Sequence, residues 1–156
     1  MTWLRRPSIH RNLTWLGPLE FTEKEQEFAR EIQRVTGVEP VGLKGEVAPL
    51  NREPGPPDGG STDVADVSWV VPTLHMSVTT AAHDAPWHAW PVVAAGGMSI
   101  GHKGMVYAAK ALAATMVDLY ETPELRAAIR KEFEAKTEGV EFKFYIPEGP
   151  PPVPAD

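Results

Sequence analysis

The chain has 156 residues, a length suited to one domain. Lys and Arg total 15 against 21 Asp and Glu, so the formal charge is −6; an acidic chain gains little from a phosphate backbone, and nucleic acid is not expected as a partner. The absence of cysteine excludes disulfides, a thiol nucleophile and Cys-ligated metal. No apolar run approaches the ~20 residues of a membrane span. The basic start, MTWLRRPSIH, has no apolar stretch after its arginines, so a secretory signal is not expected. The expectation is a soluble cytoplasmic protein with no membrane partner.

Ile9, Leu13 and Leu16 recur at helical spacing and allow a short helix, which Gly17-Pro18 stops. Thr22 opens a clearer one. Thr22 and Glu25 have the spacing of a capping box, in which hydroxyl and carboxylate each take a free amide. Glu23 meets the positive end of the helix dipole. Phe28, Ile32 and Val35 mark an apolar face and Gly37 the stop, which predicts a helix over 23–36. Residues 37–60 hold six Gly and five Pro in 24 positions, which predicts a long loop.

Ser61 or Thr62 could cap one helical turn. Leu74, Met76 and Val78 then alternate with Thr73, His75, Ser77 and Thr79, the period of a strand with one buried face. Residues 81–97 read as irregular, with Gly96-Gly97 at their end. Met105, Ala108, Ala109, Leu112, Met116 and Leu119 predict a long helix over 103–120. Five alanines between 108 and 114 raise its propensity and permit close packing on a sheet. Thr122-Pro123 starts another, over 123–136, with Leu125, Ile129 and Phe133 on its apolar face. Val140, Phe142, Phe144 and Ile146 alternate with Glu141, Lys143 and Tyr145 and read as a closing strand. Together these elements predict an α/β fold in three αβα layers. Strands near 73–80 and 140–147 form a small mixed sheet under helices near 23–36, 103–120 and 123–136. Residues 1–147 form the single domain, and 148–156 a disordered Pro-rich tail.

The chemistry centres on five histidines, at 10, 75, 83, 88 and 102. There is no His-Glu-x-x-His and no Gly-x-Ser-x-Gly, so neither a zincin helix nor a hydrolase elbow is present. His83 and His88 flank Asp84 in a loop stiffened by Pro86, Trp87, Trp90 and Pro91. Imidazole is the commonest metal ligand, yet a single His is more often a structural hydrogen-bonder. Asp63 is read as a helix cap before a catalytic group, and His75 as exposed. The Gly-rich turn before the long helix could receive an anion at its amides. His102 and Lys103 near that helix's positive end are unfavourable unless something negative sits beside them.

The stretches GSTDVADVSWVVPTLHMSV and PWHAWPVVAAGGMSIGHKGMVYAAKALAATMVDLY resemble the C-terminal part of the dinuclear-zinc amidohydrolases. That family includes aminoacylases, carboxypeptidase-G-type exopeptidases and the aminobenzoyl-glutamate hydrolases, and the likeness is strongest to the B-subunit type of the last. The segment HRNLTWLGPLEFTEKEQEFAREIQ is similar to the stretch after that group's lid domain. The resemblance spans residues 10–147 and is most specific over 60–110. It implies the C-terminal half of a zinc-exopeptidase catalytic domain. It also implies that His88 is the last zinc ligand, although His88-Ala89 stands where His-Ser is usual. Asp63, Gly97, Ser99 and His102 are implied as substrate-pocket residues.

The family also uses a His-x-Asp, a Glu-Glu pair and a further ligand; one glutamate activates the metal-bound water. This chain contains neither adjacent glutamates nor His-x-Asp. The resemblance therefore implies a fragment of a hydrolase of N-acyl amino acids, inactive alone and with no catalytic residue of its own. Its zinc would bind weakly or not at all; the missing part would be a separately encoded N-terminal half, or was lost by truncation. The alternative is a non-catalytic interaction domain derived from the family. Either would self-associate through an exposed sheet edge or apolar face.

Overall fold

Thr22 and Glu25 form the predicted capping box. The Glu25 amide donates to Thr22 Oγ1, and the Thr22 amide donates to the Glu25 carboxylate at 2.6 Å. A computed structural model describes residues 6–50, 62–143 and 149–150. Among them it contains six helices: α1 (Arg6–Leu16), α2 (Glu23–Thr36), α3 (Val64–Val70), α4 (Trp90–Gly96), α5 (Ser99–Glu121) and α6 (Pro123–Thr137). Gly37, with φ of 73°, ends α2 in the left-handed conformation. None of these helices is long and apolar enough to cross a membrane.

The described residues contain no strand, so the expected three-layer fold with its small mixed sheet is not present. Residues 74–78 keep the alternation of a strand: Leu74, Met76 and Val78 are partly buried, His75 and Ser77 exposed, whereas Thr73 and Thr79 are partly buried too. A period of two establishes which side chains face inward, but a strand also needs a neighbour with free backbone groups. Among the described residues the 74–80 segment finds no such neighbour; its tie to the 44–48 segment is a side-chain one, from the Thr79 hydroxyl to the Lys44 carbonyl. Beside it, Gln26 pairs with both backbone groups of Leu43, its Oε1 accepting at 2.8 Å and its amide donating at 3.1 Å. Two turns later Gln33 does the same for Gly42, accepting from its amide at 2.7 Å and donating to its carbonyl at 3.2 Å. Of the expected strand at 140–147, residues 140–143 are irregular and 144–147 lie outside the described residues.

The loop expected at 37–60 is irregular from Val38 to Leu50, and its remainder lies outside the described residues, as do Ser61, Glu148 and 151–156 of the tail. Helix α4 falls within a stretch expected to be irregular. Pro91 near its start supplies a preset φ, and its seven residues are too few for a period to show.

The core joins α2, α4, α5 and the loops at 43 and 82–85: Ala29, Ile32, Leu43, Ala82, Ala85, Ala95 and Ile100 form one cluster. Val35, expected inside, is exposed, and Gln33 is fully buried instead. Helix α1 lies on α5. The buried Asn12 donates to Thr115 Oγ1 (3.1 Å) and Asp118 (2.8 Å), and the Tyr107 hydroxyl donates to the Gly17 carbonyl at 2.7 Å. Burial raises the Tyr107 pKa. Two glycines set how close α5 comes. A Cβ on Gly101 would lie 2.4 Å from the Gly96 carbonyl oxygen, and one on Gly104 2.5 Å from that of Thr79.

Candidate functional site

A cleft of ≈ 860 Å³ lies between the 44–48 and 77–85 segments, with Leu13 and Tyr107 at its walls. Its volume and largely apolar lining suit a small-molecule site. The Gln26 and Gln33 pairings hold its first edge, and Gln33 also holds the second by donating to the His83 carbonyl at 2.8 Å. The Thr79 hydroxyl ties the two edges together by donating to the Lys44 carbonyl.

The cleft's charged groups are Lys44, Glu46, His83 and Asp84. Lys44 Nζ lies 2.5 Å from His83 Nε2, so the ammonium donates and the imidazole accepts. Asp84 Oδ2 stands 3.4 Å from the same nitrogen. The backbone turns sharply at both ends of this loop, since Asp84 and His88 have φ of 55° and 58°. The cleft therefore offers an apolar trough with one cation, one imidazole and two carboxylates at its mouth.

The expected site residues fall in three places. His88 is exposed, in the turn before α4; it follows Trp87, which lines the cleft, but does not line it. Gly97, Ser99 and His102 lie together in the short turn and first turn of α5, and α4 packs on that helix. Gly97 and His102 are exposed, whereas the Ser99 hydroxyl is spent on an internal bond to Glu25. Asp63 is exposed at the N-cap of α3, and its side chain makes no cap hydrogen bond. None of Asp63, Gly97, Ser99 and His102 lines the cleft. Among the described residues no three His, Asp or Glu side chains converge as a metal site would require.

The strongest electrostatic arrangement is one the sequence only half indicated. Lys103, in the first turn of α5, does have its negative neighbour: Glu25, whose Oε2 accepts from Nζ at 2.7 Å. Burial alone would raise the Glu25 carboxyl. Hydrogen bonds from Lys103, Ser99 and both the amide and hydroxyl of Thr22 outweigh it and bring the pKa down to about 2. The arrangement ties α2 to α5. Gln26 and Gln33 were equally hidden, since hydropathy reads Gln as solvent-facing; their seven-residue spacing on one helix face was the available signal.

The chain resembles one curated hydrolase over three fifths of its length. It is 38% identical over 94 residues to the B subunit of p-aminobenzoyl-glutamate hydrolase from Escherichia coli (strain K12), which is 60% of this chain and 20% of that protein. The chain thus spans about a fifth of the relative it matches. No family model and no solved structure matches.

Proposed function

We propose that this chain supplies one part of a metal-dependent amidohydrolase that cleaves an N-acyl amino acid of the aminobenzoyl-glutamate kind. The similarity over 94 residues to a protein named for that reaction carries the reading. His88 would be this chain's contribution to the metal centre. It is exposed and follows Trp87 at the cleft, so a group from outside these residues can reach it. Gly97 and His102, also exposed, and Asp63 would wall the substrate pocket, with Ser99 holding the turn in place through Glu25.

A catalytic zinc takes about three protein ligands. Among the described residues no three His, Asp or Glu side chains converge in that way, which supports a metal centre completed from elsewhere. The adjacent glutamates and His-x-Asp that the resemblance calls for are not in the chain. The proposal therefore places the remaining ligands and the general base outside these 156 residues, which by themselves are inactive.

The test mixes this chain with a polypeptide carrying those elements and follows zinc-dependent release of glutamate from aminobenzoyl-glutamate. Activity in the mixture only, lost with His88→Ala, is the expected result. Hydrolysis by this chain alone would overturn the reading. Neither activity nor association in the mixture would favour the non-catalytic interaction domain.

A further inference from the structure

At the cleft mouth one nitrogen stands between two charges of opposite sign. His83 Nε2 lies 2.5 Å from the Lys44 ammonium and 3.4 Å from Asp84 Oδ2. The two neighbours make opposite demands on it. An ammonium only donates, so Nε2 faces Lys44 as a bare acceptor; a carboxylate only accepts, so Nε2 bonds Asp84 only when it carries a proton. The structure shows the first arrangement, because 3.4 Å exceeds the ~2.7–2.9 Å of a charge-assisted bond.

The Lys44 bond crosses the cleft. Lys44 belongs to the 44–48 edge and His83 to the 77–85 edge. The His83 backbone is fixed independently of its ring: the amide donates to the Gly42 carbonyl at 3.1 Å, and the carbonyl accepts from Gln33 at 2.8 Å. A change at Nε2 therefore moves the imidazole and the lysine side chain while the loop beneath stays in place. The ionisable groups sharing the cleft with His83 are Lys44 and Glu46 from the first edge, Asp84 from its own loop and Tyr107 from α5. The Tyr107 hydroxyl is engaged with the Gly17 carbonyl, and Gln33 of α2 is uncharged. Imidazole is the side chain whose charge ordinarily changes between pH 5 and 8.

We propose that His83 is a proton-operated tie between the two edges of the cleft: neutral, it accepts from Lys44 across the mouth, and protonated, it turns to Asp84 and releases Lys44. The proton comes from solvent. The bond from Lys44 Nζ to Nε2 breaks, because a ring with hydrogens on both nitrogens has no acceptor and repels the ammonium. A bond from Nε2 to Asp84 Oδ2 forms in its place. The mouth loses a cross-link and gains a positive charge. This does not depend on the hydrolase reading, because it requires neither His88 nor a metal.

Nitrogen-15 NMR of the full chain, titrated through the imidazole range, tests the tie. At the alkaline end His83 should hold its proton on Nδ1, with Nε2 bare. His10, whose Nε2 donates to the Ala48 carbonyl at 3.0 Å, should be the opposite tautomer. As the His83 ring protonates, the backbone amides of 44–46 should shift with the same midpoint. Lys44→Met removes the donor. It should abolish the Nδ1–H preference and the 44–46 response, while raising the midpoint of the ring by about 0.3 pH unit or more. Asp84→Asn should lower that midpoint by a similar amount. A proton on Nε2 of His83 at the alkaline end, amides at 44–46 that do not move with the ring, or an unchanged 44–46 response in Lys44→Met would overturn the proposal.

Discussion

Replacing Glu25 by Gln removes a buried charge while keeping its size, and it tests how α2 is joined to α5. In the folded chain the Glu25 carboxyl titrates at about 2 against an ordinary value of 4.5. The folded pKa is the lower one, so the associated stability is complete above pH 4.5 and is lost as pH falls toward 2. A difference of about 2.5 units at 1.36 kcal/mol per unit corresponds to about 3 kcal/mol at neutral pH. The introduced amide could keep some of the hydrogen bonds, but it leaves the Lys103 ammonium, at 35% side-chain exposure, facing a neutral group. Chemical denaturation of Glu25→Gln at pH 7 should therefore show a loss of about 2–3 kcal/mol. Repeated between pH 5 and 2, the gap to the unsubstituted chain should close as Glu25 protonates. A gap below about 0.5 kcal/mol at pH 7, or one that does not change with pH, would refute the reasoning.

Gln33→Leu strips partners from the Gly42 amide and the His83 carbonyl, and should cost about 2–4 kcal/mol, read by the same denaturation. It should also loosen both edges of the cleft, seen as faster amide exchange at 42 and 83. Gly104→Ala puts a methyl against the Thr79 carbonyl and the Thr80 methyl, and is expected to cost about 1–3 kcal/mol with displacement of the 79–80 segment. Calorimetric titration of zinc into the isolated chain should show only weak binding, because His88 has no converging co-ligands among the described residues. Tight one-to-one binding would reveal a ligand set other than the one proposed.

Much of the helical framework was legible in the sequence because its signals are local. The span 23–36 follows from a capping box at one end and a glycine at the other, each acting within four residues. The expected 123–136 helix differs from α6 by one residue, and Ile129 and Phe133 are buried as their spacing required. Burial along α2 and α5 was less legible. Val35 looks like core and is exposed, Gln33 looks like surface and is buried, and the Met105, Leu112 and Met116 stripe faces outward. Periodicity identifies a face, not what lies opposite it.

The supposed sheet shows the same limit. Alternation marked partly buried and exposed positions correctly over 74–78 but not at Thr73 and Thr79, which are partly buried, and the strand assignment needed a pairing partner that only the tertiary structure could supply or withhold. Of the site, Lys103 announced its need for a negative neighbour through its place at a helix start, but Glu25 lies 78 positions away. The amino-acid order alone determined where α2 and α6 begin and end, that cysteine chemistry is excluded, and the likeness to a hydrolase. Three-dimensional packing decided that side-chain amides hold the backbone at 42 and 43, that His88 stands open beside a cleft, and that α5 keeps exposed apolar residues among those described. Helix caps and turns are interactions between near neighbours in the chain, whereas burial, charge pairing and strand pairing depend on residues brought together from far apart.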